Sequence, residues 1–238
     1  MHDHKSITLP LHYNHLVQAF IYNTIDEKLA DFLHDSGFGK GRKFKMFTFS
    51  RLCGRFDIKS RPGYIVFDDR ITLTVSSPYG KFCQSFANGI FKKKIWLGEN
   101  ELEIAEAELI PAEVKQEEII VDTLSPIVVY STLLKPDGSK YTAYFQPGEK
   151  EFERLISQNL IKKYSAFKDE NHADKEIHIK PLQQPRQNII EYKDFIIKGC
   201  SGRFKVSGPV ELLQMGVDAG FGSKNSMGFG CVRVLREV

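Results

Sequence analysis

Gly220-Phe221-Gly222-Ser223-Lys224-Asn225-Ser226-Met227-Gly228-Phe229-Gly230 joins two apolar patterns of different period. Before it, Val210, Leu213 and Val217 follow Pro209 at helical spacing; after it, residues 231–235 read as a closing strand. The chain therefore ends helix, glycine-rich turn, strand. Working back, residues 195–200, 189–192 and 177–179 are strand-like. Residues 149–167 predict a helix, with Phe152, Leu155, Ile156 and Leu160 on one face, and residues 127–130 and 119–121 are extended. A charged, proline-punctuated stretch, residues 111–118, precedes them and reads as a boundary.

The same order recurs before that boundary. Residues 7–11 form a short apolar run, and residues 15–34 are helix-like. Thr24-Ile25-Asp26-Glu27 fits a capping box that would start a second helix, with Ile25, Leu29, Phe32 and Leu33 as its stripe and Gly37 as its stop. Residues 44–52 and 71–75 read as paired strands. Phe82, Phe86 and Ile90 mark a further helix, and residues 96–110 are extended around a turn at 98–100. Each half thus follows βαββαβ order. The expected fold is α+β, two tandem ferredoxin-like (RRM-like) domains over residues 1–115 and 116–238.

Composition fits this. A chain of 238 residues holds two domains of about 100–120 residues. Apolar residues at 42% and charged residues at 26% allow a packed core and exclude a disordered chain. Residues 1–5 are polar, and no apolar run nears the ~18 residues of a membrane span, so a cytoplasmic protein without membrane contact is expected. Cys53, Cys83, Cys200 and Cys231 are widely spaced and read as reduced, mostly buried thiols. No metal-ligand spacing is present, and no metal is expected. A net charge of +3 is small, but residues 40–61 carry eight basic side chains, Arg42 and Lys43 among them, against Asp57 alone. Such a stripe suits a phosphate backbone, or else is simply a solvated face.

The glycine segment is neither a dinucleotide fingerprint nor a Walker loop, since a helix precedes it, a strand follows, and the glycine and lysine spacings are wrong. No nucleotide cofactor is expected. The segment offers backbone N–H groups at Gly220, Gly222, Gly228 and Gly230, with Ser223, Lys224, Asn225 and Ser226 as side-chain donors, suited to phosphates and sugar edges. The plainer reading is a turn between helix and strand.

GFGSKNSMGFG followed by a terminal strand resembles the signature of CRISPR-associated repeat-processing endoribonucleases of the RAMP superfamily. The resemblance extends to Asn14-His15-Leu16-Val17-Gln18-Ala19-Phe20-Ile21-Tyr22-Asn23, to Phe32-Leu33-His34, to Lys45-Met46-Phe47-Thr48-Phe49-Ser50, and to Leu124-Ser125-Pro126-Ile127. It implies two tandem ferredoxin-like domains and metal-independent cleavage of CRISPR precursor RNA within its repeats. The 2′-hydroxyl would attack, leaving 2′,3′-cyclic phosphate and 5′-hydroxyl ends.

The resemblance implies Tyr22, His34 and Lys45 as catalytic residues, with His34 in proton transfer, Lys45 on the phosphate and the role of Tyr22 open. It implies repeat RNA as the partner, gripped by the glycine segment. Homodimerisation and contact with other CRISPR effector subunits stay open, and the competing reading is a non-catalytic RNA-binding subunit of an effector complex. His2, His4, His12, His172 and His178 receive no role, and Tyr13, Phe221 and Phe229 read as anchors rather than base-stacking platforms. A geometric condition follows. On one straight helix Tyr22 and His34 would lie about 18 Å and about 120° apart, too far to share a phosphate, so the helix must break between them.

Overall fold

Ile7 and Leu9 point inward from strand β1 (Ile7–Pro10), the period-two pattern of a strand with one covered face. This is a computed structural model, and it describes residues 6–170, 175–193 and 195–237; residues 1–5 and His172 lie outside the described residues. Helix α1 (Asn14–Thr24) buries Asn14, Val17, Ile21 and Thr24 at helical spacing. It ends because Ile25 turns extended, at ψ 170°. The break is real but its cap is not Thr24, whose hydroxyl donates back to the Phe20 carbonyl at 2.7 Å. Asp26 caps α2 (Glu27–Asp31) instead, its carboxylate accepting from the Leu29 N–H at 3.3 Å. One wide π-helical turn, Phe32–Ser36, follows, and Gly37 at φ 59° ends it.

A long irregular hairpin comes next. Strands β2 (Thr48–Phe49), β3 (Phe56–Asp57), β4 (Tyr64–Phe67) and β5 (Val75–Ser76) pair antiparallel, β2 with β5 and β3 with β4, with Cys53 bridging Thr72 between them. The expected pairing of residues 44–52 with 71–75 is there, but β4, for which the pattern gave no strand, lies beside β1. Its short alternation is flanked by the turn formers Arg61-Pro62-Gly63 and is easily lost. After α3 (Gly80–Lys92) come β6 (Ile95–Leu97) and β7 (Asn100–Leu102), which pair with each other. Beside β1 one side chain replaces a ladder: the Asn100 amide accepts from the Thr8 N–H at 3.1 Å and donates to the Thr8 carbonyl at 2.9 Å.

The second half runs β8 (Glu118–Thr123), β9 (Tyr130–Leu134), β10 (Lys140–Tyr144), α4 (Lys150–Lys168), β11 (His178–Pro181), β12 (Arg186–Tyr192), β13 (Phe195–Ser201), β14 (Arg203–Ser207), α5 (Val210–Ala219) and β15 (Val232–Glu237). Its four-stranded sheet has the order β11-β14-β8-β15, antiparallel throughout, with α4 and α5 as the two crossovers. That is the ferredoxin-like topology. The ladders of β12 and β13 join them to each other, and β9 and β10 form a second inserted hairpin. The sheet position expected for residues 189–200 belongs to β14, whose Phe204 and Val206 are fully buried. Among the described residues, no helix is long and apolar enough to cross a membrane.

Residues 44–51 stitch the halves together. Phe44 and Met46 enter the core built on α4, α5 and the four-stranded sheet, while Phe47 and Phe49 enter the core of the first half. The Thr48 hydroxyl donates to the Phe229 carbonyl at 3.0 Å, the Ser125 hydroxyl to the Phe49 carbonyl at 2.9 Å, and the Arg51 N–H to the Leu124 carbonyl at 2.9 Å. Cys200 and Cys231 are buried and Cys83 half-buried, but Cys53 is exposed, so the expectation of mostly buried thiols holds for only part of the set.

Gly89 on α3 sets how closely the last turn of α1 approaches, because a Cβ there would lie 2.0 Å from the Thr24 carbonyl oxygen. Gly89→Ala is expected to cost at least about 2 kcal/mol by urea unfolding, with Tyr22 displaced along with the helix end. A loss below about 0.5 kcal/mol would show that this helix contact is loose.

Candidate active site and nucleic-acid interface

The break at Ile25 folds the π turn back against the last turn of α1. Tyr22 and His34, twelve residues apart, meet edge to face with ring centroids 6.3 Å apart, and Tyr22 packs its other side on Phe47 at 5.7 Å. Lys45 reaches the same place from the strand that crosses between the halves, its ammonium donating to the His34 carbonyl. Backbone geometry aims it there: Met46 has φ 53°, a left-handed conformation costing a bulky residue on the order of 1–2 kcal/mol. Met46 then drops into one core, Phe47 into the other, and Lys45 stays at the surface.

The environments differ within this cluster. His34 is 78% exposed, and its Nδ1 is 2.7 Å from an Asp35 carboxylate oxygen, which leaves Nε2 towards solvent. Asp35 is a partner the sequence signalled only by adjacency. Burial raises the Tyr22 phenol to about 12, so at neutral pH it carries its proton and donates. Partial burial lowers the Lys45 ammonium, and Lys43 adds to this, while Asp35 opposes it. A carboxylate, an imidazole, a phenol and an ammonium thus converge on one exposed spot.

The glycine segment behaves otherwise. Phe221 and Phe229 are completely buried, and the buried Asn225 amide donates to both their carbonyls, at 3.1 and 2.9 Å. The N–H groups of Gly228 and Gly230 are taken by the carbonyls of Asn225 and Pro126, and that of Ser223 by Val128. Gly228, Gly230 and Asn225, expected as donors to RNA, thus have these donors on protein carbonyls, two within the loop and that of Gly230 on Pro126. The glycines exist for close approach. A Cβ at Gly220 would lie 2.5 Å from the Asn225 amide nitrogen, at Gly222 2.5 Å from the Val128 carbonyl, at Gly228 2.4 Å from the Phe49 ring, and at Gly230 2.0 Å from the Phe221 carbonyl. All four have positive φ.

From the first half, Asn14 donates to the carbonyls of Met227 and Gly228, and Gln18 to that of Ser226. Ser223 is buried, Lys224 and Ser226 are half-buried, and Arg42 and Lys43 are exposed.

The basic stripe is not one face. Arg51 turns inward to Asn188 at 3.0 Å and Arg55 pairs with Asp68 at 3.2 Å, leaving Arg42 and Lys43 beside the site. His12 accepts from the Glu191 N–H, His15 packs edge to face on Tyr192, and His178 pairs with Glu153. Tyr13, Phe221 and Phe229 are buried anchors. Sequence reasoning missed Lys163, 2% exposed, whose ammonium donates to the carbonyls of Gly220 and Gly222 at 2.5 and 3.2 Å. Its signal was a lysine on the apolar stripe of α4.

Tandem ferredoxin-like domains with a glycine-rich turn before the last strand define a RAMP-type protein. The chain belongs to the Cas6 family of CRISPR-associated proteins. Residues 8–115 match the family described as "CRISPR-associated protein Cas6, N-terminal", and residues 108–234 "CRISPR associated protein Cas6, C-terminal". It is 33% identical over 230 residues, 94% of this chain and 86% of the relative, to "CRISPR-associated endoribonuclease Cas6 1" of Methanocaldococcus jannaschii. It is 28% identical, over 97% of this chain and 85% of the relative, to "CRISPR-associated endoribonuclease Cas6" of Pyrococcus furiosus. A solved "CRISPR associated protein Cas6" superposes with TM-score 0.77 at 28% identity, covering 98% of this chain and all of that one.

Since the loop glycines face protein, Gly228→Val and Gly230→Ala are expected to lower unfolding free energy by at least about 2 kcal/mol in urea melts. Any loss of ligand affinity should track the loss of folded protein. Full stability in either variant would contradict the packing described here.

Proposed function

We propose that this protein is an endoribonuclease that cuts CRISPR precursor RNA within its repeats, and that it does so without a metal ion. The observation that carries this reading is the meeting of Tyr22, His34 and Lys45 on one exposed surface although they are far apart in sequence. The names of the relatives from Methanocaldococcus jannaschii and Pyrococcus furiosus support the substrate and reaction class.

His34, its Nδ1 against the Asp35 carboxylate, offers Nε2 as a base for the 2′-hydroxyl proton. The 2′-oxygen attacks the adjacent phosphorus and the bond to the 5′-oxygen breaks, leaving a 2′,3′-cyclic phosphate, while the departing oxygen takes a proton from water and the proton on His34 returns to solvent. Lys45 supplies positive charge to the crowded phosphate, and the Tyr22 hydroxyl donates to a phosphate oxygen.

Cleavage of end-labelled repeat RNA should persist in EDTA, stop on 2′-deoxy substitution just upstream of the cut, and yield a cyclic-phosphate end by mass spectrometry. Dependence on added Mg²⁺ would rule the mechanism out. His34→Ala should slow single-turnover cleavage by about a hundredfold or more, with RNA affinity within a few fold. Lys45→Ala should weaken both more modestly. Tyr22→Phe keeps the ring on Phe47, so it should reduce rate with little change in Tm. A folded wild-type protein that binds the RNA but leaves it intact would instead favour a non-catalytic RNA-binding subunit.

A further inference from the structure

His34 is held at three points, and one of them tells its two ring nitrogens apart. Its carbonyl has no helical partner, because in the wide turn the Gly37 N–H donates to the Phe32 carbonyl at 2.6 Å and the Phe38 N–H crosses to that of Phe44 at 2.8 Å. Lys45 takes the His34 carbonyl instead. The ring meets Tyr22 edge to face, a contact that a half-turn of the imidazole would leave much the same, since it exchanges nitrogen for carbon at nearly equal size. Among the described residues, the contact that fixes the sense of the ring is the hydrogen bond between Nδ1 and the Asp35 carboxylate, at 2.7 Å.

Asp35 has no structural employment that would account for it. Its side chain is three-quarters exposed, and among the described residues it makes no other hydrogen bond or ion pair. It stands in the last turn of a helical stretch, where the negative end of the peptide dipoles disfavours an acid. What it does contact is informative. A carboxylate only accepts, so the shared hydrogen belongs to Nδ1, and a neutral ring then carries its lone pair on Nε2. In the other tautomer the outward nitrogen already bears a hydrogen and cannot take one from a 2′-hydroxyl.

We propose that Asp35 is a positioning residue for cleavage: it holds His34 with the hydrogen on Nδ1 and the lone pair of Nε2 turned outward, and it balances the charge the ring gains. This rests on the reading given under Proposed function. The 2′-hydroxyl proton goes to Nε2, the Nδ1 hydrogen stays between ring and carboxylate, and Asp35 itself takes up no proton. Its charge opposes that of the RNA, so removing it should slow the reaction while binding holds or tightens.

Asp35→Ala should lower the single-turnover rate about ten- to fiftyfold, less than the ~10⁴ lost in a buried triad, because solvent screens an exposed pair. Affinity for repeat RNA made uncleavable by a 2′-deoxy group at the cut should stay level or rise by up to about twofold, and Tm should not fall. Asp35→Glu, which keeps the carboxylate, should recover part of the rate. In a His34→Ala background Asp35→Ala should change the rate no further, since it acts through the ring. The ring is also read without RNA: ¹⁵N–¹H NMR at about pH 8.5, where an ordinary histidine is neutral, should place the His34 hydrogen on Nδ1 and show it moving towards Nε2 in Asp35→Ala. An unchanged rate in Asp35→Ala, a loss that follows Tm or RNA affinity, or a loss that persists in His34→Ala overturns the proposal while leaving cleavage itself intact. If the wild-type protein binds the RNA and leaves it uncut, the functional reading falls, and the tautomer decides the role of Asp35 alone. A hydrogen that leaves Nδ1 when Asp35 is removed supports it, and one found on Nε2 in the wild type, or unmoved in the variant, overturns it.

Discussion

One side-chain amide closes the loop on which the two halves meet. Asn225 donates to the carbonyls at both shoulders of the glycine loop, Phe221 and Phe229, and so closes an eleven-residue excursion into a rigid plug between the domains. A buried hydrogen bond of this kind contributes about 1 kcal/mol, but leaving the Phe221 carbonyl unpaired in the interior costs more; that of Phe229 accepts from Thr48 as well. The loop must therefore close this way or not pack at all. Everything around it is fitted to that closure: Lys163 from behind, Asn14 and Gln18 from α1, Thr48 from the crossing strand. Four glycines follow as a consequence, since each backbone lies against protein atoms with no room for a Cβ.

The crossing strand transmits this rigidity to the site. Its side chains alternate between the two cores, Met46 to one and Phe47 to the other, so the strand cannot slide without emptying both. Lys45 sits immediately before that alternation and inherits its position. Met46 accepts a left-handed backbone to make the switch, a local strain that packing on both sides sustains. Phe47 also forms the wall that Tyr22 meets edge to face, so the same strand fixes two members of the cluster, while the Asp26-capped second helix brings the third.

The two halves differ in how their strands pair. In the second, four strands pair in full, and both hairpin insertions leave the sheet order untouched. In the first, strand pairing is broken into short segments, and the Asn100 amide replaces a ladder beside β1. The crossing strand itself is buried from Met46 to Ser50, and Lys45, the residue before it, meets His34 where the turn after the second helix returns to α1.

The sequence by itself determined most of the elements and their order, because apolar pattern is written locally: the stripe of α4, the short apolar run of β8, and the stop at Gly37 are each contained in a dozen residues or fewer. It also carried the break between Tyr22 and His34, though it pointed to Thr24 where the structure uses Asp26, since both residues can accept a helix N–H and only the chain path distinguishes them. Sequence could not say which strands neighbour in the sheets, that β14 and not β12 or β13 completes the second sheet, or that Arg51 leaves the basic stripe for Asn188. Nor could it say that the N–H groups of Gly228 and Gly230 are taken by protein carbonyls. Glycine reads alike whether it makes room for a ligand or for another backbone. That choice belongs to the tertiary structure, because it depends on what the rest of the chain brings within about 4 Å of each α-carbon.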